Sequence, residues 1–157
     1  MASLVDALAS FAGKRVLITG DTGFKGSWLS LWLQQHGALV HGYALPPDWP
    51  NCHFSLLNLK SLIRHENGDI RDKEHLLTYF AQVQPDCVFH LAAQALVRRS
   101  YREPKETFDT NIGGSINVLE CVRATPSVQA LIYVTSDKCY RNREINFGYR
   151  EEDELGG

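Results

Sequence analysis

The 157-residue chain contains no stretch approaching the roughly 20 consecutive apolar residues that a helical membrane span needs. It has no Cys-x-x-Cys pair either. Cys52, Cys87, Cys121 and Cys139 are scattered, with no histidine at zinc-ligand spacing, which argues against a metal site and reads as reduced thiols in a cytoplasmic protein. Charge of one sign is not in excess. A net charge of −2 and a pI near 6.3 give no broad electrostatic reason to hold nucleic acid or an anionic membrane, so a small molecule is the expected partner. The histidines at 36, 41, 53, 65, 75 and 90 are dispersed and suggest no hydrolytic triad. The segment from Met1 to Phe11 lacks the basic start and long apolar run of a signal peptide. Repeats, low-complexity tracts and linkers are also missing, so residues 1–157 read as one domain.

What is present is an ordinary globular balance, 44% apolar and 22% charged, enough for a real core. Strand-type and helix-type patterns alternate through it. Arg15 to Thr19 is a short β-branched run that reads as a buried strand, and Ala38 to Ala44 as a second. Between them a helix from about Phe24 carries Phe24, Trp28, Leu29, Trp32 and Leu33 on one face and ends at Gly37. The prolines of Leu45 to Pro50 demand a loop. A third strand ends near Asn67, and Asp72 caps a helix holding Leu76, Leu77, Phe80 and Ala81, which Pro85 stops. Asp86 to Ala92 is a fourth strand and Ala130 to Thr135 a fifth. A longer helix from about Pro104 to Ala124 shows Phe108, Ile112, Leu119 and Val122 as one stripe. Gly113 and Gly114 within it are locally unfavourable by about 1 kcal/mol each, which points to close packing. Such alternation predicts a doubly wound α/β fold: a parallel sheet, helices on both faces, and a ligand crevice at the carboxyl ends of the strands.

The first strand runs into Thr19-Gly20-Asp21-Thr22-Gly23-Phe24-Lys25-Gly26, and the helix follows directly. Glycines there allow a tight turn and close backbone approach, while the free N–H groups at the new helix's positive end face an anion. That is the place of a dinucleotide pyrophosphate, although the spacing is Gly-x-x-Gly-x-x-Gly rather than Gly-x-Gly-x-x-Gly.

Taken in order, TGDTGFKGSWL, GDIRD, VFHLAAQ, TFDTNIGGSINVLE and VTSDKCY resemble the extended short-chain dehydrogenase/reductase family. Within its NAD-dependent epimerase/dehydratase branch, they are most similar to the nucleotide-sugar 4,6-dehydratases acting on CDP-glucose. The likeness extends from about Lys14 to Gly157, and TSDKCY followed by GYRE is more specific than the glycine loop. It implies a Rossmann fold with NAD held by Gly20, Thr22, Gly23, Phe24, Lys25 and Gly26. The adenine would lie by Asp69 and Ile70, and the ribose and nicotinamide by Leu91, Ala92, Ala93, Gln94, Asn111 and Thr135. The implied reaction is an internal redox cycle that removes water across carbons 5 and 6 and leaves a CDP-4-keto-6-deoxy sugar, a step toward lipopolysaccharide O-antigen. By position Ser136 would bond the hexose 4-hydroxyl, Asp137 would protonate the departing 6-hydroxyl, and Lys138 would be the base or a charged stabiliser. The full-length enzyme would be a cytoplasmic homo-oligomer.

The residues themselves leave local alternatives. Asp69 also suits a turn cap, Ala92 and Ala93 suit packing, Asn111 suits solvent and Thr135 a strand end. Arg98, Arg99, Arg102 and Lys105 form a basic group that suits either a diphosphate or a solvated surface. The family's Tyr-x-x-x-Lys pair is absent after the fifth strand, so the chain is expected to be an amino-terminal portion, inactive alone. Tyr43 aligns with the acidic residue that usually bonds the adenosine ribose. The residues therefore leave NAD versus NADP open, and the resemblance favours NAD. The competing functions are a nucleotide-sugar 4-epimerase of the same fold and a non-catalytic dinucleotide-binding module.

Overall fold

The computed structural model describes residues 8–47, 49–136 and 138–156. Strand β1 (Arg15–Thr19) lies at the centre of a five-stranded, all-parallel sheet with β2 (Leu39–Ala44), β3 (Arg64–Asn67), β4 (Cys87–His90) and β5 (Ala130–Tyr133), in the order β3-β2-β1-β4-β5. Every crossover is helical. Helix α1 (Phe24–Gln35) joins β1 to β2, and the short helices α2 (His53–Leu56) and α3 (Leu59–Leu62) join β2 to β3. Helix α4 (Lys73–Val83) returns to β4. Helices α5 (Val97–Arg102) and α6 (Pro104–Phe108), a π-helical turn (Asp109–Gly114) and α7 (Ser115–Ala124) lead to β5. The chain winds one way from β1 to β3 and then the other way to β4 and β5. The crevice between the β1 and β4 ends is therefore the topological switch point, where open α/β sheets receive ligands.

Period-two alternation in β1 builds both halves of the core. Val16 and Ile18 face Leu33, Val40, Phe54, Leu59 and Ile63 on one side of the sheet. Leu17 faces Tyr43, Ile70, Leu76, Phe80, Val88 and Val118 on the other. Helices thus cover both faces, as expected. Asp72 caps α4, its carboxylate accepting the His75 N–H at 3.1 Å. Gly37, at φ +82°, closes α1 where few other residues fit. Among the described residues no helix is long and apolar enough to cross a membrane.

Two helix faces differ from the sequence expectation. Helix α1 buries Gly26, Ser27, Ser30 and Leu33, whereas Phe24, Trp28 and Trp32 are 72%, 50% and 41% exposed. Small residues fill the buried face of the helix's first two turns, where Gly26 lies against the glycine loop, Leu33 enters the core near its end, and the aromatic row is turned outward. It lines an open groove of about 550 Å³ with Leu29, Leu31 and Leu91. In the long helix the buried positions are Gly114, Ser115, Val118 and Cys121, not the row of Phe108, Ile112 and Leu119. A Cβ on Gly114 would stand 2.6 Å from Ile70, so this glycine does mark close packing; one on Gly113 would meet nothing within 4 Å. Strands β4 and β5 are shorter than their apolar runs. Helices α2, α3 and α5 have too few turns to show a period.

Candidate functional site

The glycine loop is fixed by backbone bonds to its neighbours. Gly20, at φ +79°, donates its N–H to the Tyr43 carbonyl at 2.9 Å and receives the Gly23 N–H on its own carbonyl at 3.1 Å. A Cβ on Gly20 would lie 2.7 Å from the Ala92 nitrogen, and one on Gly26 would lie 2.1 Å from the Gly20 oxygen, so both glycines are required by contact. Gly23 differs: its φ is −72°, and a Cβ there would meet only the Gly20 oxygen, at 3.2 Å. Beyond that one oxygen nothing in the described residues lies within 4 Å of such a Cβ. The first bond along α1 runs from the Ser27 N–H to the Gly23 carbonyl, which leaves the N–H groups of Phe24, Lys25 and Gly26 without an intrahelical acceptor. Thr22 ties the loop to the end of β2 through its hydroxyl, which donates to the Leu45 carbonyl at 3.0 Å. Turn, open glycine and orphan donors together form a cradle that fits a pyrophosphate.

The β4 end forms the opposite wall. Leu91 and Ala92 donate to the Thr19 carbonyl and hydroxyl at 3.1 and 3.3 Å, and Ala93 is exposed. Asn111 turns toward this wall rather than to solvent. Its Oδ1 accepts the Gln94 N–H at 2.7 Å and its Nδ2 donates to the Gln94 carbonyl at 3.0 Å. The Gln94 side chain in turn donates to Thr107 at 2.9 Å. A widened π turn places the asparagine where it pins the loop after β4, a common use of such turns.

At the β3 end, Asp69 sits beside Arg71, whose guanidinium and N–H both bond its carboxylate and hold it below the usual carboxylate range. Ile70 is 4% exposed and packs against Gly114. Tyr43 is fully buried. Its hydroxyl donates to the Asp69 carbonyl at 3.2 Å, and burial raises its pKa, so no carboxylate-like acceptor stands at that position. At the β5 end Thr135, Ser136 and Lys138 are exposed, and the Lys138 N–H donates to the Ser136 hydroxyl at 3.0 Å. Asp137 lies outside the described residues. Arg99 of the basic group pairs with Glu106 at 2.7 Å. Among the described residues no three His, Cys, Asp or Glu side chains gather as a metal site would require.

The profile of the GDP-mannose 4,6 dehydratase family matches residues 17–155. The chain belongs to this family. It is 50% identical over 145 residues to the CDP-glucose 4,6-dehydratase of Salmonella typhimurium, covering 92% of this chain and 40% of that protein. It is 35% identical over 141 residues to UDP-glucuronate 4-epimerase 1 of Arabidopsis thaliana, covering 86% and 33%. A solved UDP-glucose-4-epimerase from Stenotrophomonas maltophila, with bound NAD and formylated UDP-arabinopyranose, superposes with a TM-score of 0.77. It is 28% identical, over 91% of this chain and 43% of that one. This member of the GDP-mannose 4,6 dehydratase family thus spans about two fifths of the length of the curated relative most like it among those described.

Sequence reasoning passed over two buried polar groupings beside the loop in this family member. His90 is 2% exposed and bridges Thr19 and Ser115, with Nδ1 2.6 Å from the Thr19 hydroxyl and Nε2 2.9 Å from the Ser115 hydroxyl. Burial lowers its pKa to about 4, so the ring is neutral and ties β1, β4 and α7 together behind the cradle. The second grouping is Asp21, fully buried within the glycine loop, with His65 at 2.7 Å. One signal was available: a carboxylate is out of place in a loop built to hold an anion.

Proposed function

We propose that this chain is the dinucleotide-binding portion of an NAD-dependent CDP-glucose 4,6-dehydratase, a hydro-lyase of deoxysugar synthesis. One observation carries the proposal. The glycine turn with unpaired N–H groups at the start of α1 occurs in a chain 50% identical to a CDP-glucose 4,6-dehydratase. The epimerase relatives are less alike, at 35% for the plant enzyme. NAD in solved epimerases of the same fold supports NAD as the cofactor here. When bound, it supplies reversible hydride acceptance.

The chain's own residues then divide the work. Gly20, Thr22 and Gly23 shape the turn that receives the pyrophosphate, Phe24, Lys25 and Gly26 offer it their unpaired backbone N–H groups, and Leu91 to Gln94, held by Asn111, form the facing wall. Asp69 and Ile70 take the adenine side. Thr135 lies by the nicotinamide, Ser136 holds the hexose 4-hydroxyl, Asp137 protonates the leaving 6-hydroxyl and Lys138 acts at carbon 5. A cytoplasmic homo-oligomer feeding O-antigen synthesis belongs to the same proposal. Titration of the full-length protein with NAD, followed by intrinsic fluorescence, tests its first part. Saturable binding that Gly23→Val weakens supports the cradle, and binding untouched by that change removes it.

A further inference from the structure

A carboxylate lies at the root of the cradle. Asp21 follows Gly20 directly, is 0% exposed, and lies over Gly42 of β2, where a Cβ would stand 2.0 Å from Asp21 Oδ2. Glycine at 42 is thus the space that the carboxylate fills. Asp21 Oδ2 is 2.7 Å from His65 Nδ1, whereas Oδ1 has no hydrogen-bond partner among the described residues. On its other side His65 places Nε2 3.0 Å from Asn67 Oδ1, and its side chain is 3% exposed beneath the Phe54 ring. Both ring nitrogens face oxygens, and only the doubly protonated imidazolium donates to both. A buried anion behind backbone donors opposes a pyrophosphate unless a cation neutralises it, and among its bonded neighbours His65, when protonated, supplies that cation.

We infer that Asp21 and His65 are positioning residues for the dinucleotide: their ion pair holds the Gly20–Gly23 turn in its phosphate-receiving form, and cofactor binding is linked to one proton on His65. The inference rests on the dinucleotide reading above. Losing that proton leaves an uncompensated anion behind the cradle, so affinity falls as pH rises through the pKa of His65. Burial works against the imidazolium, but the Asp21 hydrogen bond and charge, with Asn67, outweigh it and hold His65 above its ordinary value. Asp21 is itself raised, by burial first, with His65 opposing. Among the described residues Lys60 of α3 acts on His65 and Asp21 acts on Tyr79 of α4, Arg64 and Glu66 of β3 and His41 and Tyr43 of β2 flank the pair in the sheet, and the nearby helices α2 and α4 also carry His53 and His75. All remain when Asp21 alone is changed.

The test is calorimetric titration of NAD into the full-length protein in steps from about pH 6 to 9, each in two buffers of different ionisation enthalpy. The expected result is uptake of up to about one proton per NAD and a Kd that rises by up to about tenfold per pH unit above the His65 pKa. Asp21→Asn keeps an acceptor for His65 in the same space, and it should abolish the uptake and flatten the profile. His65→Gln should be flat and weak throughout, and it supplies the comparison if Asp21→Asn does not fold by circular dichroism. NAD binding without proton uptake, or with uptake retained in Asp21→Asn, overturns the inference and leaves the cofactor reading standing. An absence of NAD binding at every pH removes that reading and the inference with it.

Discussion

Gly20, Gly23 and Gly26 share one motif but do different work, and substitutions separate them. Gly23 has an ordinary φ of −72°, and a Cβ there would crowd only the Gly20 oxygen, at 3.2 Å, so Gly23→Val should retain the fold at a small cost in stability. It should weaken NAD binding by about tenfold or more, on the order of 1.4 kcal/mol, in a fluorescence titration. Gly26→Ala puts a Cβ 2.1 Å from the Gly20 oxygen and should instead cost about 1–3 kcal/mol of stability in a urea melt. Equal effects of the two changes on stability would show that the cradle is packed solid. At the β5 end, Asp137→Asn in the full-length enzyme should slow water loss by on the order of 10² to 10⁴, the usual weight of one acid-base group. Water loss at the normal rate in Asp137→Asn and Lys138→Ala would reduce the pair to strand-end residues.

At the scale of elements, the switch-point architecture depends on the neutral His90 linking β1, β4 and α7. Its folded pKa of about 4 lies below the ordinary 6.5, so the unfolded chain takes up a proton first as pH falls. The contribution is complete above pH 6.5 and is lost on descending to about 4, a change of up to about 3 kcal/mol. The stability difference between the native protein and His90→Asn should therefore shrink over that interval in urea melts, and a constant difference would contradict it. The same elements show what a sequence discloses. The strands were legible because β1 is a short β-branched run and β4 a short apolar run bounded by turn residues, and Asp72 was legible as a cap from its place before an apolar period. The buried faces of α1 and α7 were not. Gly26 packs against the glycine loop and Gly114 against Ile70, so small residues share the buried faces with Leu33, Val118 and Cys121 while the larger aromatic and aliphatic row is left outside, and reading the largest apolar residues as the inner face goes wrong. The π turn was hidden as well, because no local pattern announces it and the Asn111–Gln94 bonds that accompany it join residues 17 positions apart.

Across the whole molecule, much apolar surface remains uncovered. Phe24 and Trp28 stand out on one face of the sheet, Phe108, Ile112 and Ile116 on the other, and Ile132 and Val134 along the open β5 edge. Surface of this kind favours association. The 157-residue chain by itself should bind a hydrophobic dye and elute from a sizing column above its 17.7 kDa monomer mass. A dye-silent monomer would show that these faces are too dispersed to matter. The candidate site was legible at this scale because its motifs all fall at carboxyl ends of parallel strands, where the fold brings them to one edge; Asp21 with His65 was not, since it joins residues 44 positions apart.

The central claim concerns the reaction, and product analysis tests it most directly. The full-length protein should be incubated with NAD and CDP-glucose and the nucleotide sugar examined by mass spectrometry and NMR. The account predicts loss of one water, a carbonyl at carbon 4 and a methyl group at carbon 6, with no net consumption of NAD. A product of unchanged mass with inverted carbon 4, or recovery of CDP-glucose unaltered from a protein that binds NAD, would contradict it.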